Sequence, residues 1–211
     1  MWHCLIPLLF VSLQSNAKDL PKLVKEVMPS IVTILSYDSQ GNLLIQGSGF
    51  LVDQNGHLIT SSHIVEGAAR IEIKTHSGKT YNGATVVAQD TEADLAMVSL
   101  GKHLSFARPL RITQRMPDVG EKIVVVGSPL GFSDSVSDGI VSGIRSIEGS
   151  GLLGQMTAPI SPGSSGSPVF NLKGEVIGVT KSQRLDGQNL NFFVPGSRIL
   201  GMEGLSTRAG I

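Results

Sequence analysis

The sequence predicts an all-β fold in which short strands form a sandwich or a barrel. Two series of short β-branched or alternating runs, separated by turn residues, carry this prediction. Strands do not alternate with long helices along the sequence, as they would in a parallel α/β sheet. The 25 glycines agree with this class, because tight corners in small barrels repeatedly require positive φ or close backbone approach.

One short amphipathic helix is predicted before the first series. Apolar residues at Leu20, Leu23, Val24 and Val27 recur at helical spacing until Pro29 ends the pattern. The period then changes to that of strands, and the predicted strands of the first series are 31–35, 49–52, 58–60, 71–75, 85–88 and 95–100.

A break between residues 108 and 120 separates the second series, for which the predicted strands are 123–126, 140–144, 169–170, 176–180 and 191–194. We therefore predict two units, residues 18–112 and residues 113–211. The residues after Pro195 suffice for a terminal helix but not for another domain.

The first seventeen residues have the pattern of a signal peptide. An apolar stretch at 5–13 is followed by the small-residue sequence Ser15-Asn16-Ala17, which predicts cleavage after Ala17. The stretch is shorter than the roughly 20 apolar residues that a bilayer span needs, so we expect no stable membrane span. The single cysteine, Cys4, lies in this segment, so the mature chain would contain neither disulfides nor thiolate metal sites.

Charge and motifs exclude several function classes. The 17 Lys and Arg residues balance the 17 Asp and Glu residues, so no basic footprint for nucleic acid is present. The sequence contains no His-Glu-x-x-His motif, no cysteine cluster and no P-loop. We therefore expect no metal and no cofactor.

A candidate nucleophile lies in the Gly-, Ser- and Pro-rich segment 162–168. The hydroxyl of Ser165 would need a neighbouring base, and the tetrahedral intermediate of acyl transfer would need N–H donors for its oxyanion. The candidate oxyanion hole is the segment Gly163, Ser164 and Ser165, with the N–H groups of Gly163 and Ser165 as donors. Taken alone, such a segment is more typical of an ordinary surface turn.

The candidate base is His63, which follows the predicted strand 58–60, at a strand exit where functional loops occur. An imidazole can accept the serine proton near neutral pH and return it to the leaving amine. Asp94, directly before an apolar strand, is the candidate carboxylate that orients the imidazole. Asp90 is the alternative, but it is further from the strand and expected to be in solvent.

Six segments carry a family resemblance through their order and spacing: Val-Met-Pro-Ser-Ile-Val at 27–32, Gly-Ser-Gly-Phe at 47–50, Thr-Ser-Ser-His-Ile-Val at 60–65, Asp-Leu-Ala at 94–96, Gly-Ser-Pro-Leu-Gly at 127–131 and Pro-Gly-Ser-Ser-Gly-Ser-Pro at 162–168. Together they resemble the HtrA/DegP family of trypsin-like serine proteases. Two departures stand out. Ser164 and Ser167 replace the Asn and Gly that the family usually has beside its nucleophile, and the PDZ domains typical of the family are expected to be missing.

The resemblance implies two six-stranded antiparallel β-barrels. The N-terminal barrel would supply His63 and Asp94, the C-terminal barrel would supply Ser165, and the substrate would lie between them. The uncharged residues Pro159, Ile160, Phe192 and Phe193 are expected to line the primary pocket. Such a slot would favour small or medium aliphatic side chains, with loose selectivity because one methylene is worth only about 1–3 kcal/mol.

The functional hypothesis is a periplasmic or secreted serine endopeptidase that acts on unfolded or damaged exported proteins. Its partners would be flexible polypeptides, and the sequence leaves homo-oligomer formation open. The alternative is a catalytically silent module of the same fold that binds unfolded polypeptides, motivated by the serines on either side of the Ser165-Gly166 pair.

Overall fold

A computed structural model of the chain describes residues 19–105, 108–128, 135–181 and 190–202. The predicted signal peptide lies outside these residues. Within them, the helical segments are short and lie at the start, within the first half and at the end: α1 (Leu20–Val27), a 3-10 turn (Met28–Ser30), α2 (Ser62–Val65) and α3 (Gly196–Leu200). In this part of the chain, no helix is long and apolar enough to cross a membrane.

The first half of the chain forms a seven-stranded antiparallel sheet in the order β5-β4-β1-β2-β3-β7-β6. Its strands are β1 (Ile31–Tyr37), β2 (Leu43–Leu51), β3 (His57–Thr60), β4 (Arg70–Thr75), β5 (Thr80–Asn82), β6 (Thr85–Asp90) and β7 (Leu95–Ser99). The sheet encloses its own apolar cluster, which includes Ile34, Leu58 and Ile73. Burial of this cluster gives the first half a core.

The second half forms a closed antiparallel barrel in the order β10-β13-β12-β11-β8-β9. Its strands are β8 (Lys122–Gly127), β9 (Ser135–Ile147), β10 (Gly151–Met156), β11 (Pro168–Asn171), β12 (Val176–Lys181) and β13 (Asn191–Pro195). Closure leaves the barrel without an unpaired edge.

Another apolar cluster lies between the two sheets. It joins Phe50 of β2 and Leu95 of β7 to Phe170 of β11 and Val179 of β12, and it also receives Leu23 of α1. The connecting segment crosses from one half to the other within a few residues. The N–H of Leu110 donates to Leu51 O at 3.0 Å, and that of Thr113 donates to Val176 O at 3.0 Å. The two halves therefore pack closely along this layer.

The all-β class and the N-terminal helix are confirmed, with one difference in detail. The first sheet contains seven strands rather than six, because the three-residue β5 adds to its edge beside β4. Its end strands β5 and β6 are not hydrogen-bonded to each other, whereas the barrel of the second half is closed.

Candidate active site

His63 lies in α2, the single helical turn that follows β3 directly. The turn packs tightly on β2, since a Cβ atom at Gly47 would lie 2.6 Å from Cδ1 of Ile64. A glycine in β2 is therefore what allows α2 to approach the sheet. This close packing fixes the position of α2 on the sheet and therefore the position of the His63 Cα and Cβ atoms.

Asp94 lies in the tight turn between β6 and β7 and contacts the imidazole of His63. Its Oδ2 is 2.9 Å and its Oδ1 is 3.0 Å from His63 Nδ1. The backbone is also tied, because the N–H of His63 donates to Asp94 Oδ1 at 3.0 Å and that of Ser62 donates to Asp94 O at 3.1 Å. The side chain of Asp94 is 14% exposed and that of His63 is 34% exposed. The carboxylate is thus sheltered while the imidazole stays accessible.

Asp94 has a left-handed backbone with φ of 60°, unusual for a residue with a side chain. The alternative carboxylate, Asp90, points elsewhere. It accepts hydrogen bonds from the Ala93 N–H at 3.0 Å and from Arg198 Nε at 2.5 Å. The hydrogen bond from Arg198 lowers the pKa of Asp90 below its ordinary value, although partial burial opposes the shift. Asp90 is ion-paired rather than free in solvent, and the structure pairs Asp94 with His63.

Ser165 follows a β-turn formed by residues 161–164. The N–H of Ser164 donates to Ser161 O at 2.9 Å, and Gly163 at the third position has φ of 91°. Pro at the second position and a positive φ at the third define a type II turn. The positive φ explains why a glycine occupies position 163.

The backbone N–H groups around Ser165 divide into bonded and unbonded donors. Those of Ser164, Gly166 and Ser167 donate to Ser161 O, Thr180 O and Ser164 O. Within the described residues, the N–H groups of Gly163 and Ser165 have no acceptor. Of the three predicted oxyanion-hole residues, Ser164 therefore has its N–H occupied, and Gly163 and Ser165 keep theirs available.

Ser48 of β2 connects the first half to residues 161–167, which we call the Ser165 turn. Its N–H donates to Ser165 O at 2.8 Å and its hydroxyl donates to Gly163 O at 2.8 Å. The same hydroxyl accepts from the N–H of Ser128 at 2.9 Å. Sequence reasoning noted the Gly-Ser-Gly-Phe segment but missed this positioning contact, because the partner is 115 residues away.

The Ser165 turn lies directly beside the start of α2. A Cβ atom at Gly166 would lie 3.0 Å from the N atom of Ser61 and would collide with the carbonyl oxygen of Ser48. The segment around Ser165 therefore packs against the residues that lead into α2, which carries His63. No hydrogen bond between the Ser165 hydroxyl and His63 is present in the part of the chain that the structure describes.

The four predicted pocket residues occupy different environments. Phe193 is fully buried inside the second barrel, where its ring fills the space that Cβ atoms at Gly154 and Gly178 would need. This placement argues against Phe193 as a pocket residue. Phe192 points to the opposite side, into the cluster between the sheets. Ile160 is half-buried against the barrel core, and Pro159 is exposed.

The two serines that depart from the family pattern behave differently. The hydroxyl of Ser164 accepts a hydrogen bond from the N–H of Ser161 at 3.2 Å and so supports the turn. Ser167 is fully buried against Gly127, and its hydroxyl has no partner among the described residues. In the same part of the chain, no group of three or more His, Cys, Asp or Glu side chains is placed to hold a metal ion.

Comparison with known proteins decides the family. Residues 47–179, which include His63, Asp94 and Ser165, match the model of the trypsin-like peptidase domain. The chain belongs to the trypsin-like peptidase family. Its fold agrees with a solved relative: the crystal structure of the serine endoprotease from Yersinia pestis superposes with a TM-score of 0.76 at 22% identity, over 87% of this chain and 65% of that one.

Two named sequence relatives place this trypsin-like peptidase near the HtrA/DegP proteins. The serine protease Do-like HtrB of Bacillus subtilis is 31% identical over 214 residues, which cover 88% of this chain and 46% of HtrB. A Halomonas elongata protein named as a probable periplasmic serine endoprotease, DegP-like, is 34% identical over 155 residues, 71% of this chain and 32% of that protein. The resemblance drawn from the sequence is thereby confirmed. The chain spans less than half the length of these two relatives.

Proposed function

We propose that this trypsin-like peptidase is a serine endopeptidase that cleaves peptide bonds with Ser165, His63 and Asp94. The observation that carries the proposal is the contact of His63 Nδ1 with Asp94 at 2.9 Å, beside a turn that holds Ser165 and two unbonded N–H groups. The names of the relatives as serine proteases support it.

Each group has a defined task in the reaction. The Ser165 hydroxyl attacks the carbonyl carbon of the substrate while His63 Nε2 accepts its proton. Asp94 accepts a hydrogen bond from the Nδ1–H of His63, which keeps the imidazole in the tautomer whose Nε2 is free to accept a proton. The same carboxylate then stabilises the imidazolium. The N–H groups of Gly163 and Ser165 bind the oxyanion. His63 then protonates the leaving amine, and water attacks the acyl-Ser165 ester with His63 again as base.

The substrates we propose are unfolded or flexible segments of exported proteins. Ser165 is nearly buried in a turn that packs against β2 and α2, which favours a flexible segment over a rigid folded surface as the substrate. An extended backbone with no secondary structure of its own can enter such a site. A periplasmic or secreted location is proposed from the predicted signal peptide and from the relative named as periplasmic.

The preference we propose is for uncharged, aliphatic side chains before the scissile bond. Pro159 and Ile160, just before the Ser165 turn, are uncharged, and Ile160 is half-buried against barrel residues. With Phe193 inside the barrel and Phe192 in the cluster between the sheets, the proposed pocket rests on Pro159 and Ile160.

The test uses a fluorophosphonate probe and denatured casein with the purified chain. Ser165→Ala and His63→Ala should abolish both labelling and cleavage, while mass analysis of the labelled chain should locate the adduct on Ser165. The matched controls are Ser161→Ala, in the same turn, and His103→Ala, an exposed histidine; both should keep activity. Folding is checked by circular dichroism.

One observation favours the silent binding module as a second candidate, namely the missing hydrogen bond between Ser165 and His63 in the described residues. Catalytic hydrogen bonds are often long without substrate, so the first candidate is preferred. A folded chain that binds denatured casein but neither cleaves it nor reacts with the probe would decide for the second.

A further inference from the structure

The turn that carries Asp94 is held by residues of the other half of the molecule. Arg198 of α3 donates from Nε to Asp90 Oδ2 at 2.5 Å and from Nη2 to Asp90 Oδ1 at 3.1 Å. The same Nη2 also donates to Glu92 Oε2 at 3.1 Å. A guanidinium bound to two carboxylates in this way fixes both position and orientation.

A second cation from the barrel reaches the same turn. Lys181, the last residue of β12, is nearly buried and donates from Nζ to Glu92 O at 3.4 Å and to the Ser150 hydroxyl at 3.1 Å. The turn therefore receives contacts from α3 and β12, although the chain links it covalently to β6 and β7 alone, and Ser150 before β10 binds the same Lys181 ammonium.

These contacts reach Asp94 through two short steps. Asp90 accepts from the N–H of Ala93 at 3.0 Å, and the N–H of Asp94 itself donates to Thr91 O at 3.3 Å. The left-handed backbone of Asp94 is unfavourable for a residue with a Cβ atom and persists when its surroundings hold it. Without the hydrogen bonds from Arg198 to Asp90, the backbone of Asp94 would leave its left-handed conformation, and the Asp94 carboxylate would move away from His63.

We infer that Arg198 is a positioning residue that holds the Asp90–Asp94 turn so that Asp94 can orient His63. The inference deepens the proposed function and rests on it for its catalytic meaning. Arg198 touches neither His63 nor Ser165 in the contacts that the structure describes; it acts through Asp90 and the turn. The position of α3 is thereby linked to the geometry of the candidate triad.

The chain contains a matched control. Arg115 has the same side-chain exposure as Arg198, 46%, and likewise pairs with two acidic residues, Asp118 and Glu121. Its pairs lie within the second half and away from Asp94. Arg115→Ala thus removes a comparable ion pair without touching the turn.

The first measurement is the Nδ1–H proton resonance of the His63 ring, assigned by its loss in His63→Ala. In the purified chain, Arg198→Ala should broaden or shift this resonance, because a displaced carboxylate no longer protects the proton from exchange. Arg115→Ala should leave it unchanged. Arg198→Lys should give an intermediate result, since an ammonium keeps the charge but not the two-point geometry. An unchanged resonance in Arg198→Ala overturns the inference.

The second measurement is the rate of fluorophosphonate labelling. We expect Arg198→Ala to label about tenfold more slowly, because small misplacements of catalytic groups cost one to two orders of magnitude, with kcat lowered and KM nearly constant. In an Asp94→Asn background the same substitution should change the rate less than twofold. A tenfold loss that persists in that background would show that Arg198 acts elsewhere and would overturn the inference.

The two proposals fail in different ways. If the folded wild-type chain is never labelled, the proposed endopeptidase function fails, and the His63 resonance alone decides the positioning role. If the wild type is labelled and Arg198→Ala is labelled equally fast with an unchanged resonance, the positioning role fails and the proposed function stands.

Discussion

The two sides of the candidate site are fixed by different kinds of contact. Ser165 lies in a turn held by buried neutral hydroxyls, chiefly those of Ser48 and Thr180. Asp94 lies in a turn held by charges, with Arg198 46% exposed. Ser48 and Arg198 each belong to the half opposite the turn that they hold, whereas Thr180 belongs to the same half as Ser165. The geometry of the site thus depends on docking of the two halves, not on either half alone.

This difference predicts that the two sides of the site respond differently to salt, pH and substitution. Contacts between buried neutral groups are insensitive to salt, and an unpaired partner left behind is costly. Contacts between partly exposed charges are screened by salt and contribute little stability. The Ser165 side should therefore be robust to conditions but intolerant of substitution. On the Asp94 side, changes in pH and salt should alter the position of the Asp94 carboxylate more than they alter the free energy of unfolding.

The largest effect is expected for Asp94→Asn, which keeps the shape of the side chain but offers the wrong partner to the imidazole. Loss of the charge should lower kcat by about 10⁴-fold, the size known for this change in serine proteases with this triad. Steady-state cleavage of a peptide substrate measures it. Asp90→Asn is the control and should lose far less; an equal loss in both variants would mean that the wrong carboxylate has been paired with His63.

The next effect is expected for Ser48→Ala, which removes the hydroxyl bound to Gly163 O. Removal of an oxyanion donor itself costs about 10²–10³-fold in kcat, so an indirect disturbance should cost roughly 10–100-fold. The loss should be the same at low and high salt. Ser30→Ala is the control, because Ser30 is also fully buried and its hydroxyl also donates to a backbone carbonyl distant in sequence, that of Arg108. It should lose similar stability and no activity, and equal activity losses would refute the role of Ser48.

A smaller effect is expected on the Ser165 side from Ser167→Ala. The buried hydroxyl of Ser167 has no partner among the described residues, so its removal should stabilise the fold by about 1 kcal/mol. For a chain of this size the unfolding midpoint should rise by roughly 2–4 °C. Calorimetry measures the shift, and a lower midpoint would mean that the hydroxyl is satisfied after all. Labelling of Ser165 should be unaffected.

The smallest effect is expected for the stability contributed by the pair of Arg198 and Asp90. The folded-state pKa of Asp90 is lowered, mainly by its hydrogen bond with Arg198. The pair therefore stabilises the fold at neutral pH and loses this contribution as pH falls below the ordinary aspartate pKa of about 3.9. Urea unfolding of wild type and Arg198→Ala should differ by less than about 1 kcal/mol at pH 7 and converge in acid or in 1 M salt. A difference that grows in acid would contradict the assignment.

Much of the fold could be predicted from local sequence patterns. Nine of the predicted runs lie wholly within strands of the structure, and the runs 49–52 and 95–100 overlap β2 and β7 with one extra residue each. β5 was missed because three residues show no period, and β10 because its glycines and glutamine interrupt the apolar pattern. α2 was missed because a single helical turn has no periodicity to detect.

Some residues of the candidate site could also be predicted from local sequence, and others could not. His63, Asp94 and Ser165 could be chosen from sequence because each stands in a short segment with the residue types that its task requires. Phe192 and Phe193 were both expected at the pocket, since strand alternation predicts that they face opposite sides but not which side is the barrel core. The structure places Phe193 in that core. The roles of Ser48 and Arg198 had no local signal.

By itself, the sequence determined the all-β class, the N-terminal helix and the three candidate catalytic residues, because period and residue type are local properties. The tertiary structure decided that Asp94 rather than Asp90 meets His63, which N–H groups near Ser165 stay unbonded, and that Phe193 fills the barrel. The reason is physical. The deciding contacts join Ser48 to Gly163 and Arg198 to Asp90, 115 and 108 residues apart, and such partners meet only when the two halves dock.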